Sequence, residues 1–128
     1  LLAIDTNIVV RLIARDDPDQ VALAEAAVSA PFLLLPTVVL EAEWVLRGRY
    51  KLPRERIADG FAIIAGLWMA RVASAEALAS AIARWRNGGD FADHFHLALA
   101  AEADASGFVT FDRALAGRRE PPLPVTLL

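Results

Sequence analysis

The chain has 128 residues, 56% of them hydrophobic, a formal net charge of −3 and no cysteine. That length suits one domain spanning residues 1–128, and the apolar share excludes an intrinsically disordered chain. The lack of cysteine excludes disulfide scaffolds, thiolate zinc sites and cysteine nucleophiles.

The longest near-apolar run, Phe61 to Ala70, is far short of the ~20 residues of a membrane span. No signal-peptide pattern is visible, and the first residue is Leu1, so a trimmed, cytoplasmic protein without membrane association is expected. Leu1–Asp5 reads as a strand, and Asp5-Thr6-Asn7 as the start signal of a helix over Ile8–Ala14. Asp16-Asp17-Pro18 breaks that helix, and a second runs from Gln20 to Val28. Phe32–Leu35 reads as a buried strand. A helix from Pro36-Thr37 reaches about Arg47, and another from Pro53 reaches about Ala70. Arg71–Ala73 is a brief strand, and Ser74 opens a helix to about Arg86. After the turn Asn87–Asp90, Phe91–Ala105 is apolar nearly all round, which predicts a buried helix. Phe108–Phe111 is a strand, Asp112 opens a helical turn, and Pro124–Leu128 is an edge strand.

Short apolar strands alternating with helices predict an α/β fold with a parallel sheet covered on both faces. Sites in such sheets lie beyond the carboxyl ends of the strands, where Asp5 and Asp112 fall. Both also have a capping reading. Glu41 has Thr37, Val38, Trp44 and Val45 as helical neighbours and no nearby cation, so it is expected on a largely apolar face in need of a partner. Glu43, with Arg47 four residues on, reads as a surface pair peripheral to any site. Asp90 and Asp93 resemble a capping box, and Asp93 lies among apolar residues where an unpaired charge is costly. Converging carboxylates without thiolates and with little histidine select Mg²⁺ or Mn²⁺ over zinc, and such a centre suits phosphodiester hydrolysis by water.

Three stretches together, LLAIDTNIVVRLIARDDP, LPTVVLEAEWVLRGRYKL and DFADHFHLALAAEADASGFVTFDRALA, resemble the PIN-domain family, and within it the VapC-type toxins of bacterial type II toxin–antitoxin systems. The resemblance covers almost the whole chain in the right order. It implies a three-layer α/β/α sandwich around a short parallel sheet and a Mg²⁺- or Mn²⁺-dependent endoribonuclease. It also implies RNA as substrate, a cognate antitoxin protein as partner, and a homodimer. Asp5, Glu41, Asp93 and Asp112 match the family acids as catalytic and metal-binding residues, with Asp90 a further candidate ligand. Thr6, Asn7 and Thr110 match polar positions beside them. His94 and His96 occupy positions that are often small or apolar in the family, and packing is the expected role for a histidine there. Cleavage products with 5′-phosphate and 3′-hydroxyl ends are also implied.

A net negative charge argues mildly against a nucleic-acid partner, yet every basic residue but Lys51 is Arg, which suits forked phosphate contacts. The cluster from Arg47 to Arg56 is a candidate RNA contact through Arg47, Arg49 and Lys51, with Tyr50 available for stacking. Its alternative is a solvated helix end. Trp44, Trp68 and Trp85 are expected in the core. Two competing functions are a receiver-like phospho-acceptor module and a catalytically silent PIN-fold binding protein. A receiver normally carries paired acids after its first strand and a late lysine, which this chain lacks.

Overall fold

Helices and short strands alternate from end to end in the computed structural model, which describes residues 1–128. The chain divides into two compact units, Leu1–Ala75 and Glu76–Leu128.

The first unit holds β1 (Leu2–Ala3), α1 (Thr6–Ala14), α2 (Pro18–Val28), β2 (Phe32–Leu34), α3 (Pro36–Gly48), α4 (Arg54–Ala65) and β3 (Ala70–Val72). Its three strands form one sheet in the order β1-β2-β3, every pair parallel, with Leu2 opposite Phe32 and Phe32 opposite Ala70. Parallel neighbours need crossovers, and helices supply them. Asp5 caps α1, and Arg15, in the left-handed region at φ 52°, closes it by donating to the Arg11 carbonyl. Asp17 caps α2, with Pro18 at a first-turn position where a missing N–H costs nothing. The core gathers Val9 and Val10 of α1, Phe32 of β2, Val39, Ala42 and Leu46 of α3, and Ile57 and Phe61 of α4. A methyl group on Gly60 would lie 2.7 Å from Ile13, so glycine there allows α1 and α4 to approach closely.

The helix expected to run from Pro53 to about Ala70 ends at Ala65. The Gly66 N–H closes it on the Ala62 and Ile63 carbonyls, and Ala70 already belongs to β3. The apolar content of 66–70 had masked this stop.

The second unit holds almost all of α5 (Ala75–Trp85), then α6 (Phe91–Glu102), β4 (Phe108–Thr110), α7 (Arg113–Ala116) and β5 (Val125–Leu127). β4 and β5 pair in parallel, Phe108 opposite Val125. Trp85, Phe91 and Phe95 pack in series, the first pair tilted and the second edge-to-face, with ring centroids 4.9 and 5.5 Å apart. Leu97, Leu115 and Leu123 form a second cluster, packed by Ala100, Phe108 and Val125. α6 stops at Glu102, short of Ala105, with Asp104 in the left-handed region.

Of the three tryptophans expected in the core, only Trp85 is buried. Trp44 is 69% and Trp68 89% exposed. Trp44 lies on α3 away from its buried face, and Trp68 lies in the turn between α4 and β3, so neither backbone position points inward.

Candidate active site

In the first unit, Asp5 lies just beyond β1 with extended backbone and opens α1. Its Oδ1 accepts the Thr6 N–H at 2.8 Å. Thr6 is buried, and its Oγ1 donates a hydrogen bond to Glu41 Oε1 on α3. The strand-to-helix turn after β1 is thereby tied to the middle of α3. Asn7 is exposed on the next position of α1.

The two glutamates of α3 are reversed from expectation. The helix buries Val38, Val39, Ala42, Glu43 and Leu46. Glu43 shares the inward stripe, and Glu41, two residues earlier, points about 160° away from it. Glu43 is 2% exposed, whereas Glu41 is exposed. The pairing of Glu43 with Arg47 is present, at 2.8 Å from Nε, but its carboxylate end is buried and only the guanidinium reaches solvent. Local charge spacing identified this pair; it could not reveal that the acid end faces inward.

In the second unit, Asp90 caps α6 by accepting the Asp93 N–H at 3.1 Å. Asp93, one turn into the helix, is half-buried. Desolvation holds its carboxyl above the ordinary carboxylate range. The negative charges of Asp90 and Asp112 push the same way, partly offset by His96 and His94. Asp112 caps α7, its Oδ1 accepting the N–H groups of Ala114 at 2.8 Å and Leu115 at 3.2 Å. Its own N–H donates to Thr110 Oγ1 at 3.0 Å, so Thr110 braces the turn that carries Asp112. His94 is buried, and its Nε2 donates to the Gly88 carbonyl at 2.7 Å. That ring nitrogen is committed to holding the Asn87–Asp90 turn. His96 is exposed.

Within the basic cluster, Arg49 and Lys51 are exposed, Lys51 in the left-handed region at φ 57°. The Tyr50 hydroxyl accepts from Arg11 Nη1 at 2.8 Å, so its ring is tethered. Arg11 also binds Asp16 Oδ1 at 2.8 Å and Gln20, and it holds the Asp16 carboxyl below its ordinary range. The sequence assigned Arg11 no part, and its partner Tyr50 is too distant in the chain for local spacing to reveal.

Neither unit by itself gathers three or more His, Asp or Glu side chains into a ready-made metal cage. A caged site is not what a small hydrated cation needs. Mg²⁺ is typically held by one or two carboxylates, with water and substrate phosphate completing its shell. The donor set fits: carboxylate oxygens without thiolates, and an Asp93 whose ionisation is opposed by two neighbouring acids that a cation would relieve.

The family model that matches is that of the PIN domain, over residues 2–120. PIN domains are generally nucleases, typically use divalent metals, and imply RNA binding. No curated protein matches the chain. No helix is long and apolar enough to cross a membrane. With its helices, its small parallel sheets and a match over nearly its whole length, the chain belongs to the PIN domain family.

Proposed function

We propose that the chain is a Mg²⁺- or Mn²⁺-dependent endoribonuclease working as one domain over residues 1–128. We further propose that it is the toxin of a toxin–antitoxin pair, acting as a cytoplasmic homodimer that a cognate antitoxin protein restrains. What carries the catalytic reading is Asp93, a part-buried carboxyl on α6 whose ionisation is opposed first by desolvation and then by the charges of Asp90 and Asp112, in a chain of a nuclease family. Asp90 and Asp112 are exposed, and their negative charges near a partly desolvated carboxyl are unfavourable to its ionisation, which a cation would relieve. The toxin, antitoxin and dimer assignments rest on the resemblance of the three motifs to VapC-type proteins.

When bound, a divalent cation supplies a more acidic water and neutralises charge on the phosphodiester. In this reading Asp5, Asp93 and Asp112 hold the cation, with Asp90 a further candidate ligand, and Glu41 completes the shell or orients the attacking water. The chain's own bonds prepare these roles. Thr6 restrains Glu41, and the backbone amides at the starts of α1 and α7 fix the Asp5 and Asp112 carboxylates. Thr110 steadies the Asp112 turn, and Asn7 lies beside Asp5 as a further polar group. Arg49, Lys51 and Arg47 are the candidate phosphate contacts of the first unit, Arg47 while also paired to Glu43. A receiver-like module loses its support because the match is to the PIN domain.

The test is purified protein, free of antitoxin, incubated with structured RNAs and Mg²⁺ or Mn²⁺, against EDTA. Metal-dependent cleavage lost in Asp93→Ala supports the reading. Cleavage that survives EDTA overturns the mechanism, and no cleavage of any RNA shifts the function to a silent binding protein. Size-exclusion chromatography with light scattering tests the homodimer.

A further inference from the structure

The second unit contains a pocket of about 550 Å³, lined among others by Arg84, Asn87, Arg118, Arg119 and Glu120. None of these five is among the family acids or their polar neighbours. Three guanidinium groups and a single carboxylate line it, in a chain whose net charge is negative. The wall is built rather than loose. Arg84 on α5 donates to the Glu120 carbonyl, which ties the end of that helix to the segment after α7. Glu120 is in the left-handed region and is followed by Pro121 and Pro122, which restrict the segment further. On the other side, His94 holds the turn at Gly88.

Arg118 marks the join between pocket and acids. A methyl group on Gly89 would lie 2.6 Å from Arg118 Nη2, so the guanidinium rests directly against the Gly89 backbone. The next residue is Asp90, the cap of α6, one turn from Asp93. Asp112 caps α7, whose end leads through Gly117 to Arg118. Arg118 is therefore joined to Asp90, Asp93 and Asp112 through the start of α6 and the end of α7, while Arg84 reaches the pocket from α5. No carboxylate ion pair occupies Arg118 or Arg119.

We propose that this pocket is a phosphate subsite that holds the RNA backbone beside the acidic centre. A polyanion that places one phosphate at a cation needs its neighbouring phosphates neutralised as well, and Arg does this with forked hydrogen bonds. A pocket of this size accepts a phosphate with part of its sugar. The bonds that fix its wall reduce the ordering cost of binding. The identity of the ligand rests on the nuclease reading; the anion-binding chemistry does not.

The probe is a fluorescently labelled, mixed-sequence single-stranded RNA, titrated with the whole chain in EDTA and read by anisotropy across a salt series. Arg118→Gln with Arg119→Gln is expected to weaken binding about tenfold and to lower the salt slope by about 0.7 for each phosphate no longer neutralised. Both side chains are exposed, so the variant should fold, and circular dichroism checks that. Arg84→Gln provides a third substitution on a different element. Unchanged affinity and slope in both variants would overturn the proposal, as would a wild-type chain that binds no RNA. Inorganic phosphate is titrated in parallel. Saturation by phosphate at micromolar concentration with RNA affinity unaltered by the variants would assign the pocket to a free anion and also overturn the proposal. Arginine-dependent RNA binding without cleavage would keep the subsite and remove the nuclease. Metal-dependent cleavage with unchanged KM in the variants would keep the nuclease and remove the subsite.

Discussion

Thr6 and Glu41 are hydrogen-bonded across 35 residues of sequence, hydroxyl to carboxylate, linking the turn after the first strand to the third helix. Thr6→Val keeps the shape and removes the donor. It should destabilise the chain by about 1 kcal/mol, the usual worth of such a bond where the acceptor stays hydrated. Cleavage should fall about 10- to 100-fold, as is typical when the group orienting a site carboxylate is lost. Urea melts and single-turnover rates check the two effects separately. A rate equal to wild type would show that Glu41 needs no orientation.

Arg47→Ala should be the most damaging change in the basic cluster. It leaves the Glu43 carboxylate buried without its ion pair, a loss of about 2 kcal/mol after allowing for the half-exposed guanidinium. Arg49→Ala, on an exposed side chain, should stay within about 0.5 kcal/mol of wild type. Denaturant midpoints distinguish the two.

Asp93 makes metal-free stability depend on pH in a definite direction. Its folded pKa is raised, so its contribution is fully present below the ordinary aspartate value of 3.8 and is lost as pH rises through the raised folded value. At neutral pH the ionised carboxylate opposes folding. Asp93→Asn should therefore raise the melting temperature in EDTA at pH 7, and the gain should vanish below about pH 4. Adding Mg²⁺ should stabilise the wild type and do so less for the variant. Equal Mg²⁺ shifts in both would remove Asp93 from the ligand set.

If the proposed site is right, Asp5→Ala and Asp93→Ala should each reduce RNA cleavage about 100-fold or more, because each would remove a charge that holds the cation. Fragments should carry 5′-phosphate and 3′-hydroxyl ends. End-labelling before and after phosphatase treatment reads this, and cyclic phosphates would mean that the RNA 2′-hydroxyl is the nucleophile instead.

The helix starts were legible because their causes are local: Asp5, Asp17, Asp90 and Asp112 each accept an amide within three residues. So were the parallel strands, whose apolar runs alternate with helices. The inward turn of Glu43 was not, because charge spacing along a helix fixes which residues meet but leaves open which face the fold buries. Trp44 and Trp68 failed similarly, since a large apolar residue is drawn inward only where its backbone position allows. The tie between Thr6 and Glu41 and the hub at Arg11 join residues far apart in sequence, so only the folded chain reveals them. The arginine pocket escaped for the same reason: Arg84 is on α5, and Arg118 comes after α7, with α6 and β4 also between them.

The capping bonds of Asp112 have a bearing on which ion its carboxylate would prefer. Its Oδ1 accepts two backbone amides, which leaves Oδ2 as the oxygen without a hydrogen bond. A carboxylate tethered in this way is a one-oxygen donor with its plane already fixed. Ca²⁺ fills its larger and more flexible shell readily with bidentate carboxylates, whereas Mg²⁺ takes single oxygens in a tight octahedron. The cap of α7 would thus act as a filter on denticity at Asp112, with Ca²⁺ the poorer occupant by the geometry of one hydrogen-bonded turn rather than by charge.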